Sequence, residues 1–355
     1  MKSIFYYGYF IFIFVIGCIK KPANSVKLVV NQVAIAPEPV TNNAVSEAFI
    51  NNTPYIFSFG GLDSTKVYSG IHQRSYRYDV KNNSWLQLAN LPDTLGKIAN
   101  AATLIKDTIY IMGGYHVFEN GTEVSSNKVH RYAVKSNQFL SDGTPIPIPI
   151  DDHVQTVWRD SLIYVISGWS HKENVPDVQI YNPYSNTWKI GTSIPNSHQF
   201  KAFGASGVII KDTIYYFGGA AMGKNFPIQS QIRKGIINPE NSQNITWTTH
   251  SLDSTYRSYR MVAANVYNSP HFIGGSATTY NYNGISYTNS GGVLPHFTSF
   301  YYKNGKLQKH LDNLLPMDLR GIASISDSIK LLYGGMESNQ KVSNKILKLS
   351  WNKGN

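Results

Sequence analysis

A pair of adjacent glycines returns along this chain at nearly constant spacing, and no other feature constrains the fold as strongly. The pairs begin at residues 60, 113, 218, 274 and 334, and Ser167–Gly168 takes the remaining place in the series. Intervals of 51 to 60 residues separate them. Such a period indicates a repeated supersecondary unit that can bury its apolar face only against neighbouring copies. The 355-residue chain therefore holds six copies of one unit.

Each copy has the residue pattern of four short antiparallel strands. An apolar run such as Ile109–Met112 enters the glycines, and two further strands follow with an aromatic residue in each. Tyr78 and Trp85 are seven residues apart, as are Tyr132 and Phe139, with a turn rich in Asn and Ser or Lys between them. Four-stranded units at this period are typical of propeller blades. We therefore predict an all-β fold, a six-bladed β-propeller.

The double glycine followed by Tyr and Trp resembles the Kelch-repeat family over about residues 26–355. The resemblance implies that glycines allow close approach near the axis and that aromatic rings fill the space between blades. The last copy has Leu349 in the Tyr position and stops before a fourth strand. Ser25–Val30 has the pattern of such a strand. We predict that this N-terminal strand completes the last blade and closes the ring.

The chain begins with the pattern of an export signal. Lys2 precedes an apolar run, Ile4 to Ile16, which is short for a bilayer span and suits a signal-peptide core. The run ends in Val15-Ile16-Gly17-Cys18, which resembles the lipobox of bacterial lipoproteins, and Cys18 is the only cysteine. The resemblance implies that Cys18 is lipidated. A signal anchor with an unmodified cysteine is the alternative.

These features divide the chain into three parts. We expect a lipoprotein signal peptide over residues 1–17, the lipidated cysteine with a short tether over 18–25, and the propeller over 26–355. The protein would then be anchored to the outer membrane of a bacterial cell envelope, on its periplasmic or its outer face. Contact with the membrane would be made only through the lipid.

Composition excludes several kinds of partner. The net charge is +11. Lys2, Lys20 and Lys21 flank the signal segment, and the other cations are scattered, with no basic run and interleaved aromatics of the nucleic-acid-binding type. The excess favours an anionic ligand or surface instead. After Cys18 the chain has no thiol, and its histidines are dispersed, so no metal site is indicated. We expect a monomer without metal or cofactor.

Loops that enter the innermost strand of each blade line one mouth of a propeller's channel. Five of the six loops contain a cation or a histidine, and repeat symmetry turns several towards one axis. Converging guanidinium and ammonium groups suit a carboxylate or phosphate. Asp152 and His153 are adjacent and could transfer protons, so we predict them as catalytic residues. The predicted ligand-binding residues are Lys97, Lys201, Arg257, Arg260 and Arg320.

A narrower resemblance concerns the segment from Gly274 onwards, which is similar to the last two blades of bacterial sialic-acid mutarotases. It has an insertion beginning at Tyr280 and a Leu-to-Arg-Gly approach to the last blade, ending at Arg320-Gly321. The resemblance implies interconversion of the anomers of an acidic amino sugar, with Arg320 at the pocket wall. That family carries an acid where this chain has Ala220-Ala221-Met222.

Three functions remain open from sequence. The first is a propeller that binds an acidic sugar or glycan without catalysis. The second is an N-acetylneuraminate mutarotase or epimerase-like enzyme. The third is a scaffold for protein–protein interaction.

Overall fold

The computed structural model describes residues 26–296, 299–310 and 315–353. Regular structure in these ranges is β-strand apart from two 3₁₀ turns, Tyr68–Gly70 and Ser338–Gln340. The strands form six antiparallel sheets of four or five strands, plus one two-stranded ribbon. The all-β, six-bladed propeller predicted from the repeat is confirmed.

Within each blade the strands follow one another from the axis outwards. Blade one is β2 (Ala44–Ile50), β3 (Thr53–Leu62), β4 (Ile71–Asp79) and β5 (Ser84–Gln87). Blade two is β6 (Ile98–Ile105), β7 (Thr108–Val117), β9 (Val129–Ala133) and β10 (Gln138–Leu140), with β8 (Glu123–Ser125) added to β7. Blade three is β11 (Val154–Trp158), β12 (Leu162–Ile166), β15 (Val178–Asn182) and β16 (Thr187–Ile190), and β13 (Trp169–Ser170) pairs with β14 (Glu173–Asn174) beside it.

The second half repeats the arrangement. Blade four is β17 (Ser206–Ile210), β18 (Thr213–Phe217), β19 (Gln231–Asn238) and β20 (Asn241–Ser251). Blade five is β21 (Val262–Val266), β22 (Ser269–Ile273), β23 (Ser299–Lys303) and β24 (Lys306–His310). Blade six is β25 (Ala323–Ser324), β26 (Ile329–Tyr333) and β27 (Lys345–Lys353), completed by β1 (Val26–Ile35).

The outer hairpins explain the seven-residue spacing of the aromatic pairs. Tyr78 lies directly opposite Trp85 on β4 and β5, with ring centroids 4.7 Å apart. In blade four the hairpin is longer, and its register shifts near the turn. Trp247 therefore lies opposite Gly235, and its ring fills the space that a side chain at that glycine would need.

The N-terminal strand closes the ring as predicted. β1 runs antiparallel to β27 from Val26 opposite Lys353 to Ile35 opposite Lys345, so it is longer than the sequence pattern indicated. Leu28 lies opposite Trp351, and both side chains are buried in one cluster with residues of blade five. The last blade thus depends on residues from both ends of the chain.

The core lies between blades and not within them. Each pair of neighbouring blades shares a buried apolar cluster, and six such clusters surround the axis. Between blades three and four, Tyr164 and Ile180 pack with Ile214 and Tyr216. A single blade therefore cannot bury its own apolar faces, as the repeat architecture requires.

The glycine pairs lie where the next blade approaches. Gly218 has φ of +66°, and a Cβ there would collide with the Ser258 carbonyl of blade five. Gly113 makes the same kind of approach to Ile150. A side chain at these positions would be strained by the backbone and would also push neighbouring blades apart.

The predicted signal segment, Cys18 and the tether up to residue 25 lie outside the described residues. Within the described ranges, no helix is long and apolar enough to cross a membrane.

Candidate functional site

One residue at the entry of each innermost strand has a left-handed backbone, and these residues encircle the axis. Their φ angles lie between +46° and +64°. We call them the ring residues. They are Asn42, Ala99, Asp152, Gly204, Arg260 and Asp318.

Hydrogen bonds join the ring residues from blade to blade. Four links are main-chain N–H to carbonyl bonds of 2.8–3.1 Å between neighbouring ring residues. A fifth joins the N–H of Ala99 to Oδ1 of Asn42 at 2.8 Å. The sixth joins the N–H of Leu319 to the carbonyl of Arg260 at 3.0 Å. This closed circle of hydrogen bonds fixes the backbone position of each ring residue and so the point from which its side chain extends.

A buried ion network occupies the axis at this level. Nη2 of Arg260 donates to Oδ2 of Asp152 at 2.7 Å, and Nη1 donates to Oδ1 of Asp318 at 3.2 Å. Arg320 reaches the same Asp152 carboxylate at 3.5 Å and donates to the carbonyl of His153 at 2.9 Å. These charged side chains are at most 3% exposed. The charges therefore neutralise one another inside the protein.

The network shifts the acidity of its members. Burial opposes the charge of Arg260, but the surrounding groups, with Asp152 foremost, together outweigh it and hold the Arg260 pKa well above its usual range. Burial lowers the pKa of Arg320, although Asp152 acts in the opposite direction. Burial also raises the pKa of Asp318, partly offset by Arg260. Arg260 is thus the central cation of the network.

A cavity of about 110 Å³ lies on one side of the network, at the mouth of the channel. We call it the mouth cavity. It combines aromatic walls with acidic groups, and Arg260 and Asp152 form part of its lining. The lining residues are Tyr115, Glu123, Asp151, Asp152, Trp169, Phe203, Phe226, Arg260, Asn281 and Tyr287.

The aromatic wall is a set of rings packed edge to face. Trp169 lies 5.4 Å from Phe203 and 5.6 Å from Phe226, measured between ring centroids. Phe226 in turn lies 4.7 Å from Tyr287. The rings come from three consecutive blades and hold one another in place, so the wall is pre-formed.

Asp151 is a buried acid of this cavity whose hydrogen-bond partner is a hydroxyl group. Its side chain is 4% exposed, and Oδ2 accepts a hydrogen bond from the Ser125 hydroxyl at 2.6 Å. Burial raises the pKa of Asp151 well above its usual range, and the neighbouring Asp152 adds to the increase. Two adjacent carboxyl groups therefore face one cavity in different electrostatic environments.

A second cavity of about 260 Å³ lies beyond the network, between the innermost strands. It is lined mostly by main chain and small side chains, with Glu47 and Arg320 as its charged groups. His153 faces this side, in a small space that it shares with Arg320 and Gln155. Its Nε2 lies 3.2 Å from Oε1 of Gln155, and burial lowers the pKa of His153 to about 3.

Asp152 and His153, the predicted catalytic pair, therefore do not line one cavity. Asp152 lines the mouth cavity and His153 lines the space behind it. Asp152 has a left-handed backbone, and the chain turns there before β11 begins at Val154. Asp151 shares the mouth cavity with Asp152 instead.

Two of the predicted cations, Arg260 and Arg320, reach the axis. Lys97 does not, because it precedes the ring residue Ala99 by two positions. It is buried within blade two, with Nζ 3.1 Å from Oδ2 of Asp93 and 2.9 Å from Nε2 of His130. Burial lowers the pKa of Lys97 despite the Asp93 carboxylate.

Lys201 and Arg257 also precede their ring residues, by three positions each. Lys201 is partly exposed and lines neither axial cavity. Arg257 lines a separate surface pocket on blade five with His296 and Lys309. The structure thus brings two of the five predicted ligand-binding cations together and leaves three elsewhere.

Several mouth-cavity residues were missed by the sequence reasoning, and some carried a signal. Tyr115 directly follows a glycine pair, and Trp169 follows Ser167–Gly168 at the equivalent place, so the repeat itself marks both positions. Asn281 and Tyr287 belong to the insertion that follows Gly274–Gly275, which the sequence showed but did not place at the site. Phe226 lies in a loop that no repeat position predicts.

Among the described residues, no group of three or more His, Cys, Asp or Glu side chains is placed to hold a metal ion.

Comparison with known proteins identifies the family. A family model described as the KLHDC2/KLHL20/DRC7 Kelch-repeats domain matches residues 24–219. The chain belongs to the Kelch-repeat family. Among solved structures, that of YjhT superposes with a TM-score of 0.70 and covers 90% of this chain and 99% of its own, at 18% identity. This similarity establishes the fold alone.

Curated relatives match over part of their length. Kelch-like protein terF of Aspergillus terreus is 28% identical over 161 residues, which are 43% of this chain and 34% of that protein. Kelch-like protein 25 of Xenopus tropicalis is 24% identical over 159 residues, 45% of this chain and 25% of that protein. The chain spans about a quarter to a third of the length of these relatives.

Proposed function

We propose that this Kelch propeller binds a sugar, or the end of a glycan, in the mouth cavity. The observation that supports this is one cavity with both a rigid aromatic wall and buried carboxyl groups. Aromatic rings stack against the C–H faces of a pyranose, while carboxyl groups accept hydrogen bonds from its hydroxyls. The cavity beyond the network lacks the aromatic wall and is the weaker candidate.

The proposal includes the cell-envelope location expected from sequence. Cys18 would carry a lipid and hold the propeller at the outer membrane, on either face. Its support is the lipobox resemblance alone. Mass measurement of the membrane-extracted protein would test it, because Cys18→Ser should abolish both the lipid mass and the membrane fraction.

An acidic sugar is the ligand that the sequence favoured, and Arg260 is the natural anchor for its carboxylate. The Arg260 guanidinium already donates to both Asp152 and Asp318. An incoming carboxylate would have to share these donors and approach Asp152 itself. The proposed site therefore favours a sugar held by its hydroxyls over one held by an anionic group.

A second function, mutarotation, is favoured by the adjacent carboxyl groups of Asp151 and Asp152. In ring opening, the Asp152 carboxylate would take the proton of the anomeric hydroxyl as the bond from the anomeric carbon to the ring oxygen breaks. Asp151, whose pKa is raised, would donate its proton to that ring oxygen. Closure onto the other face would return both protons and give the opposite anomer.

Titration calorimetry of the purified protein with a panel of neutral and acidic monosaccharides, sialic acids included, tests the binding proposal. Trp169→Ala should weaken any binding by about tenfold, equivalent to about 1.4 kcal/mol. Tyr184→Ala is the matched control, because Tyr184 is 97% exposed and lies in the turn between the two outer strands of blade three. Equal loss in both variants, or no binding across the panel, would contradict the proposal and favour a protein partner.

Anomer exchange measured by NMR separates binding from mutarotation. If mutarotation is the activity, the wild-type protein should speed the exchange of a neutral sugar that it binds, and Asp151→Asn should remove the acceleration while keeping most of the affinity for that neutral sugar. Sugar binding without any acceleration of anomer exchange would indicate a binding protein without mutarotase activity.

A further inference from the structure

We propose that the mouth cavity selects a ligand with a protonated amino group, such as an amino sugar whose nitrogen is free. This inference rests on the proposed sugar-binding function for the frame of the ligand. It adds a prediction of the sign of the ligand's charge, which does not come from any sequence resemblance.

The first argument is the charge around the cavity. Glu123, Asp151 and Asp152 line it, and Arg260 is the one cation in its lining. Arg260 is already shared between Asp152 and the buried Asp318 beneath. Arg260 and Arg320 together balance Asp152 and Asp318, so within the described ranges Asp151 and Glu123 are the acidic groups of the lining that are left without a cation. A positively charged ligand would be attracted, and an anion would be repelled.

The second argument is the position of Asp151. The side chain is more than nine-tenths buried, lines the cavity and receives a hydrogen bond from Ser125 on Oδ2. In the described part of the chain, Oδ1 has no hydrogen-bond donor. An ammonium group has three donors and no acceptor, so it matches a carboxylate oxygen that lacks one.

The third argument is the aromatic wall. Trp169, Phe203, Phe226 and Tyr287 surround the space beside these acids. Ring faces carry negative electrostatic potential and attract cations, most strongly where water is displaced. Aromatic rings beside carboxylates form the combination that binds organic ammonium groups, whereas a cavity for a carboxylate needs donors that are free.

Protonation of the acids then couples to binding. Burial raises the pKa of Asp151, with Asp152 and Glu123 adding to the increase while Ser125 and Arg260 act against it. Loss of surrounding water likewise raises the pKa of Glu123. A bound ammonium favours the ionised carboxylates and lowers their pKa values, so binding should release protons. Affinity for the cation should consequently rise with pH.

Three sugars with one pyranose frame and different charges test the proposal. Titration calorimetry at 0.05 M salt would compare glucosamine, glucose and glucuronate, with choline as a probe that has no sugar frame. The measurements would be made between pH 5 and pH 7, where the amine is charged. We expect glucosamine to bind at least about tenfold more tightly than glucose, and glucuronate to bind most weakly. We also expect the affinity for glucosamine to rise across this range.

Substitutions assign the effect to the acids. Asp151→Asn keeps the shape and can still bond to Ser125, and it should lower the affinity for glucosamine by at least about tenfold while lowering that for glucose by a clearly smaller factor. Glu123→Gln should act in the same direction with a smaller effect and serves if Asp151→Asn fails to fold. Asp107→Asn is the control, because Asp107 is exposed and paired with Lys135 on the outside of blade two.

Each outcome decides between the two proposals. If glucose and glucuronate bind as tightly as glucosamine, or more tightly, the cation inference is overturned and sugar binding stands. If choline binds but no sugar does, the cation inference stands and the sugar function fails. If none of the four probes binds, both fail.

Discussion

At the scale of single residues, Arg260 determines what the axis of this propeller can do. It is one of the six left-handed ring residues, and its side chain lies between two buried carboxylates. A buried ion network of this kind adds little net stability, because desolvation offsets most of the attraction. Removing one member is nevertheless costly, because it leaves its partners charged and unpaired.

Arg260→Met should therefore lower the free energy of unfolding by about 3–5 kcal/mol, since Asp152 and Asp318 would be left without their shared cation. Arg159→Met is the control. Arg159 pairs with Asp212 at the surface, where an ion pair contributes about 1 kcal/mol or less. Urea unfolding followed by tryptophan fluorescence measures both. Similar losses in the two variants would contradict the assigned role of Arg260.

Two buried histidines should make the fold sensitive to acid. Burial lowers the pKa of His72 to about 4 and that of His153 to about 3, against about 6.5 in an unfolded chain. Between these values the unfolded chain binds protons that the folded protein does not, so stability should fall as pH drops from about 6.5 towards 4. Each unit of pKa difference corresponds to about 1.4 kcal/mol at most.

Melting temperatures recorded across that pH range test this. His72→Gln should flatten the decline relative to wild type, because the variant has one fewer buried neutral imidazole. His250→Gln, at an exposed position, should leave the decline unchanged. A decline that is equally steep in all three proteins would assign the acid sensitivity to other groups.

At the scale of elements, the closing strand β1 is the feature with the largest effect on the fold. It forms the outer strand of blade six, and Leu28 packs into the cluster that contains Leu349 and Trp351. Without it, β27 would have an open edge, and apolar side chains of the last blade would be exposed.

Leu28→Asp should therefore detach β1, because a carboxylate would be buried among apolar side chains at a cost above about 3 kcal/mol. Lys27→Asp introduces the same residue one position earlier, on the exposed face of the strand. The melting temperature and the rate of proteolysis before residue 36 report the detachment. Equal behaviour of the two variants would mean that β1 does not hold the ring closed.

At this scale the sequence predicted the strands and their pairing but not which loop side chains reach the axis. The glycine period and the aromatic spacing led to six blades, the hairpin pairs and the N-terminal closure, because these follow from local pattern. Local pattern did not give the register of the axial loops, that is, which loop residue points at the axis. Lys97 and Lys201 precede the ring residues by only two and three positions. An error of that size turns a side chain away from the axis. The mouth cavity also needs contacts between blades, such as that of Phe226 with Trp169, which no single repeat encodes.

At the scale of the whole molecule, the shared clusters between blades connect every part of the core to the next. Blade one shares one cluster with blade two and another with blade six. The ring of hydrogen bonds at the axis runs through the same six units. No described blade has a core of its own that could remain folded after its neighbours unfold.

Heat should therefore unfold the six blades in one transition. Scanning calorimetry should give a single peak, and tryptophan fluorescence and far-ultraviolet circular dichroism should follow the same curve. Leu28→Asp should move the whole curve to lower temperature and should not split it. Two resolved peaks would show that part of the ring unfolds independently.

The circle of ring residues has a consequence for how such a protein can change. Most of its links use main-chain atoms, so they do not depend on which side chain each position carries. The left-handed backbone excludes β-branched residues but accepts Gly, Asn and Asp readily. Substitution at Ala99 could bring a new polar group to the axis, whereas a Cβ at Gly204 would collide with the buried ring of Tyr259. A protein with this frame could thus acquire a different ligand through very few mutations.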